Sequence, residues 1–150
     1  MIQRNHIEPV DQCAFEDMAK HMLTQGQRST SEPDRLRPGG CLYRAEGGLM
    51  CAVGALIADS VYEDTLEQQS ADDFEVYWAV EASGYDGVSE ELLIDMQAIH
   101  DRTHPADWPK ALYEFAQHCF YEWSPELDDL ADNYTVAEGQ PAKSEMTGDL

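Results

Sequence analysis

Gly39-Gly40-Cys41-Leu42-Tyr43-Arg44-Ala45-Glu46-Gly47-Gly48-Leu49-Met50-Cys51-Ala52-Val53-Gly54-Ala55-Leu56-Ile57 combines strand-like residues, a glycine turn and a run of small apolar residues. The rest of the chain reads as helical, charged or loose. A loop of three residues, Ala45-Glu46-Gly47, places Arg44 opposite Gly48, Tyr43 opposite Leu49 and Cys41 opposite Cys51. Hairpin loops of that length favour a left-handed third residue, which glycine adopts without steric cost. Side chains alternate along a strand, so Cys41, Tyr43, Leu49 and Cys51 share one apolar face, and a slip by one residue splits it. The following Ala52–Ile57 run is too short for its period to decide. Its small residues suggest a buried helical turn, with a fully buried strand as the alternative.

Helices are expected on both sides. Pro9 suits a first helical position and Asp11 the positive end of a helix, so residues 9–25 form the first, with Phe15, Met18, Ala19 and Met22 on its apolar face. Gly26 is the expected stop. Residues 26–40 form a polar loop carrying Arg28, Arg35 and Arg37. A turn of helix is expected around 62–68, and Phe74, Tyr77, Trp78 and Glu81 fit a short helix ending before Gly84. Ser89 is a good N-cap, followed by Glu90 and Glu91 and the stripe Leu92, Leu93, Met96, Ile99, to about Asp101. The last strong helix starts near Pro105, with Thr103 or His104 as its cap. Its stripe is Trp108, Ala111, Leu112, Phe115, Ala116, Cys119, Phe120 and Trp123, and Trp123-Ser124-Pro125 ends it. Ser124-Pro125-Glu126 opens a further short helix with Leu127, Leu130 and Ala131 on one side. Beyond Thr135 the small, polar, acidic residues predict a mobile tail.

These elements predict an α+β fold: four to five helices around one small antiparallel β-hairpin, a single domain over residues 1–134 and a flexible acidic tail over 135–150. Expected in the core are Phe15, Met18, Met22, Tyr43, Leu49, Cys51, Val53, Leu56, Trp78, Leu92, Met96, Ile99, Leu112, Phe115, Cys119 and Phe120.

The net charge is −21 in 150 residues, and it is unevenly spread. From Asp59 through Asp101 there are thirteen acids and no Lys or Arg. Such a field repels nucleic acid and draws in basic proteins, although solubility alone also accounts for acidic surfaces. No run approaches a membrane span, and residues 1–6 lack the apolar stretch of a secretory signal, so a cytoplasmic protein is expected. The scattered Cys13, Cys41, Cys51 and Cys119 form no metal-type pair and read as free thiols.

Few residues suggest chemistry. His100-Asp101-Arg102-Thr103-His104 is the best candidate acid–base or metal cluster, since histidines four apart on a helix can share an ion and Asp101 can add an oxygen. The helix is expected to stop before Pro105, however, and His104 reads naturally as a cap. In His118-Cys119 the side chains point about 100° apart around a helix, which disfavours a thiol nucleophile. Gly39-Gly40 and Gly47-Gly48 match no phosphate-binding loop. Arg44 stands alone between Arg37 and Arg102, either as a recognition contact or as a paired base within an acidic surface.

The strings Cys41-Leu42-Tyr43-Arg44 and Gly48-Leu49-Met50-Cys51-Ala52-Val53-Gly54-Ala55-Leu56-Ile57-Ala58-Asp59 resemble a family of small proteins common in tailed phages and prophages. Ile99-His100-Asp101, with Trp108 after it, resembles a second segment of that family. The resemblance spans roughly residues 13–120. It departs at Ile57-Ala58-Asp59, where the family often has a proline, and in the longer tail. It implies an origin in a bacterial host cell rather than an activity.

The expected function is a non-catalytic acidic accessory protein that binds a basic host or bacterial protein. One form of it is a mimic of nucleic-acid charge that inhibits a host defence or nucleic-acid enzyme. Asp59, Glu63, Asp64, Glu67, Asp72, Asp73, Glu75, Glu90, Glu91 and Arg44 are the expected partner contacts. No cofactor, catalytic residue, metal, membrane or direct nucleic-acid contact is expected. The alternatives are a small metal-dependent hydrolase using His100, Asp101 and His104, and a structural subunit of a larger assembly.

Overall fold

Pro9 at the first helical position and Asp11 in the first turn open helix α1, Pro9–Gln25. Gly26 closes it in the left-handed conformation, φ 69°, with its N–H bonded to Met22 O at 3.0 Å. The structure, a computed structural model, describes residues 7–30 and 42–137. Cys41, Arg35, Arg37 and residues 138–150, which hold most of the expected tail, lie outside the described residues. After α1 come β1 (Arg44–Ala45), β2 (Leu49–Met50), α2 (Phe74–Ala82), α3 (Glu90–Arg102), α4 (Trp108–Cys119) and α5 (Pro125–Asp132). Short 3-10 turns cover Gly54–Leu56, Asp64–Gln68 and Pro105–Asp107. The expected α+β architecture is therefore present.

Helix α1 is the hub. It buries Ala14, Phe15, Met18, Ala19, Met22 and Leu23 and packs against α3, α4, α5 and the Gly54–Leu56 turn. The Phe15 ring lies 4.9 Å from Tyr121, 6.1 Å from Phe115 and 6.5 Å from Trp123, centroid to centroid. Asp11 Oδ1 accepts the Ser89 N–H at 2.7 Å and so ties the start of α1 to the start of α3. Beside Gly26, the Ala137 N–H donates to Gly26 O at 2.9 Å. A Cβ on Gly26 would stand 2.8 Å from Thr135 O, so this glycine serves both its conformation and the passage of residues 135–137.

The hairpin forms, but in another register. Arg44 pairs with Met50 and Ala45 with Leu49, which leaves Glu46-Gly47-Gly48 as the loop, one residue later than expected. Gly47 and Gly48 both have positive φ, 80° and 81°, so Gly48 supplies the left-handed third position. Tyr43 and Cys51 are buried, whereas Leu49 and Met50 are only half-buried. Contacts with α1 select this register. The Gln25 amide accepts the Met50 N–H and donates to Met50 O, both at 2.9 Å, and His21 Nε2 lies 2.7 Å from the same oxygen. The following run is the expected buried turn. A Cβ at Gly54 would stand 2.2 Å from Tyr43 O, which explains a glycine there.

Helix α2 corrects the expected core. Val76, Ala79 and Val80 face inward, while Phe74 and Trp78 are 77% and 56% exposed. Apolar residues occur nearly all round this helix, so periodicity does not select a face. Tyr77 stays half-buried and donates its hydroxyl to Val88 O at 2.6 Å.

Ser89 caps α3 by accepting the Leu92 N–H at 3.2 Å, and Ser124 caps α5 through Leu127 N–H at 3.1 Å. Helix α3 buries Leu92, Leu93, Met96 and His100, and α4 buries Trp108, Leu112 and Ala116. Helix α4 stops at Cys119 rather than continuing to Trp123. Phe120 turns left-handed, φ 67°, and its side chain is 56% exposed, contrary to its expected burial. Ile99, Phe115 and Cys119 are half-buried at the edge of the core. Among the described residues, no helix is long and apolar enough to cross a membrane.

Candidate functional site

His100 lies in the last turn of α3 and is wholly buried. Its Nε2 accepts the Ser29 N–H at 3.2 Å, so Nδ1 carries the proton and donates to Asp101 Oδ1 at 2.8 Å. Arg28 reaches the same helix end, donating from Nε to His100 O at 3.0 Å and from an Nη to Thr103 O at 2.9 Å. A guanidinium on the last carbonyls of a helix satisfies both their hydrogen bonds and their negative end. The Trp108 indole N–H shares Thr103 O at 3.0 Å. His104 Nδ1 accepts the Ala106 N–H at 3.0 Å as the cap of the Pro105–Asp107 turn. His100 thus has no lone pair left for an ion and acts as a latch between the Arg28–Ser29 segment and α3. Among the described residues, no group of three or more His, Cys, Asp and Glu side chains converges as metal ligands.

Arg44 and Glu67 are engaged within the fold. Glu67 accepts the N–H groups of Tyr43 and Arg44 at 2.9 and 3.0 Å and the Tyr62 hydroxyl at 2.5 Å. Burial first, then this bond, raises the Tyr62 phenol above its ordinary pKa. The Arg44 guanidinium lies 4.7 Å from the centre of the Tyr62 ring, donates to Ile57 O at 2.5 Å and pairs with Asp59 at 2.8 Å. A base was isolated in the sequence because its partners come from the loop after the hairpin. Cys51, by contrast, is a passive core thiol. Burial pushes its pKa up to about 12, so the thiolate is scarce at neutral pH.

The remaining expected contacts sit on the surface. Asp59 is 94% exposed even though it touches Arg44. Glu63, Asp64, Asp72, Glu75, Glu90 and Glu91 are exposed and Asp73 is half-buried. Asp73 accepts the Ser70 N–H at 2.8 Å, just before α2. Glu90 and Glu91 occupy the first turn of α3, where the helix dipole favours them.

Glu63 and Glu75 are brought together around a feature that the charge pattern does not reveal. They border a groove of about 390 Å³ with Val61, Leu66, Phe74, Trp78 and Ala79 among its walls. Phe74 and Trp78 are four residues apart on α2 and therefore share one helix face. Glu75 accepts a hydrogen bond from Gln69 Nε2 at 2.5 Å, which ties the α2 side of the groove to the preceding loop. Asp72 and Asp101 instead line a separate hollow of about 340 Å³ with Ile94 and Ala98. The groove left one trace in the sequence: two large aromatics at helical spacing on a helix that already has a Val-Ala-Val face.

Comparison with known protein families, with curated proteins and with solved structures found no match.

Proposed function

We propose that this chain is a non-catalytic binding protein of the tailed-phage accessory type, acting in the bacterial cytoplasm on a basic protein. Its acidic surface stands in for nucleic acid and inhibits a defence or nucleic-acid enzyme of the host. The observation that carries the reading is the run from Asp59 to Asp101, thirteen acids with no Lys or Arg, in which Asp59, Glu63, Asp64, Asp72, Glu75, Glu90 and Glu91 are exposed. Carboxylates at this density steer a cationic partner and suppress association with phosphates. Arg44 and Glu67, which are engaged within the fold, are two expected contacts that this account does not use, and the exposed acids carry it.

The test offers a pool of bacterial heparin-binding proteins to the immobilised chain. Retention that falls with salt, is displaced by duplex DNA, and is lost when Asp72, Asp73, Glu90 and Glu91 become Asn or Gln supports the proposal. Equal retention by wild type and variant sinks it.

A further inference from the structure

We infer that the groove walled by Leu66, Phe74 and Trp78 is where the partner docks, and that its occupant is a short segment with an apolar side chain flanked by Lys or Arg. This rests on the acidic-binder reading and gives it a location. Helix α2 buries its small apolar residues, keeps Tyr77 half-buried, and turns Phe74 and Trp78 to solvent. Exposed aromatics on a rigid helix are typical anchors of interfaces, Trp above all. The groove, at about 390 Å³, falls within the range of specific binding pockets, roughly 300–1,000 Å³, and accommodates one or two side chains.

Charge complementarity selects the occupant. Val61, Leu66 and Ala79 give an apolar lining, while Glu63 and Glu75 stand at its border. The surrounding segment from Asp59 to Asp101 supplies no Lys or Arg to neutralise them. A second copy of a chain carrying −21 is repelled. Nucleic acid and an anionic membrane carry the same sign and are repelled as well. A neutral apolar ligand leaves the carboxylates unused. A basic segment satisfies both halves of the site: the apolar side chain enters between the rings, and cationic neighbours meet Glu63 and Glu75, one of them able to lie over the Trp78 face.

The experiment measures anisotropy of a labelled peptide of alternating Lys/Arg and Leu/Phe, against a matched peptide with Ser in place of Leu and Phe, using the full chain. Wild type is expected to prefer the apolar peptide, and Trp78→Ala and Phe74→Ala to weaken it by at least about tenfold. Both variants should leave the Ser peptide and the thermal midpoint unchanged. Glu63→Gln with Glu75→Gln should flatten the salt dependence of both peptides. Unaltered affinity on Trp78→Ala, or no binding of the apolar peptide, overturns the groove. If heparin-binding proteins are still retained, the acidic-binder reading survives that result; if they are not, both fall. Self-association abolished by Trp78→Ala, or Trp78-dependent binding to phosphatidylserine vesicles or duplex DNA, would reassign the groove and overturn the proposal.

Discussion

Helices α1 and α2 both carry large apolar residues at helical spacing, and these meet opposite fates. Helix α1 turns its largest residues, Phe15, Met18 and Met22, into the core, and three other helices close over them. Helix α2 turns Phe74 and Trp78 outward and packs through Val76, Ala79 and Val80, with Tyr77 half-buried beside them. Large apolar residues at helical spacing therefore mark a helix in both cases but mark the interior only where one face is apolar and the other polar. On a helix that is apolar nearly all round, the small branched face fits the close-packed interior, and bulk is left over for another surface.

The largest expected effect lies on the α1 side. Phe15→Ala removes a wholly buried ring from an aromatic cluster and should cost about 3–5 kcal/mol in urea unfolding. A loss as small as that of an α2 surface variant would break the comparison. Gly54→Ala, in the turn that packs on α1, forces a Cβ against the Tyr43 carbonyl and should cost about 1–3 kcal/mol or more by the same assay. Phe120→Gly should instead raise stability by about 1 kcal/mol or less, since it relieves a left-handed phenylalanine whose side chain is mostly in water. A fall in stability there would show that Phe120, unlike Phe74, contributes to packing.

His21 sharpens the contrast through pH. Burial holds its imidazole below the ordinary value, while Nε2–H donates to Met50 O. As pH falls, the unfolded chain takes up this proton near pH 6.5, before the folded one does. The His21 contribution is full above about that pH, declines as pH falls towards the lower folded pKa, and then levels. Thermal melts above and below that window should therefore differ less in His21→Gln than in wild type. An identical difference would place the imidazole in water in the native state. The smallest effect belongs to α2: Trp78→Ala and Phe74→Ser should shift stability by no more than about 0.5 kcal/mol.

The parts of the fold that could be read from sequence are local. Helix α1 begins at Pro9 and ends at Gly26 as its punctuation requires, and Ser89, His104 and Ser124 each cap the turn that they precede. The candidate site was less accessible. The exposed acids were visible as composition, but the groove depends on α2 presenting the face opposite to the one that its size pattern favours. Glu67 looked like its exposed neighbours, yet it closes a ladder with Tyr43, Arg44 and Tyr62 across the loop.

What the amino-acid sequence alone determined is therefore the set of helices, most of their ends though not that of α4 at Cys119, the presence of a glycine-turned hairpin and a strongly negative charge. Each follows from the backbone preference or ionisation of a residue and its near neighbours. Only the tertiary structure decided the hairpin register, the outward turn of Phe74 and Trp78, and the internal roles of Arg28, Arg44 and His100. The Gln25 amide that pins Met50 lies 25 residues away, and the Arg28 guanidinium is 72 residues from the carbonyl that it caps. Such pairings are set by which surfaces meet once the chain has packed, and no local preference encodes them.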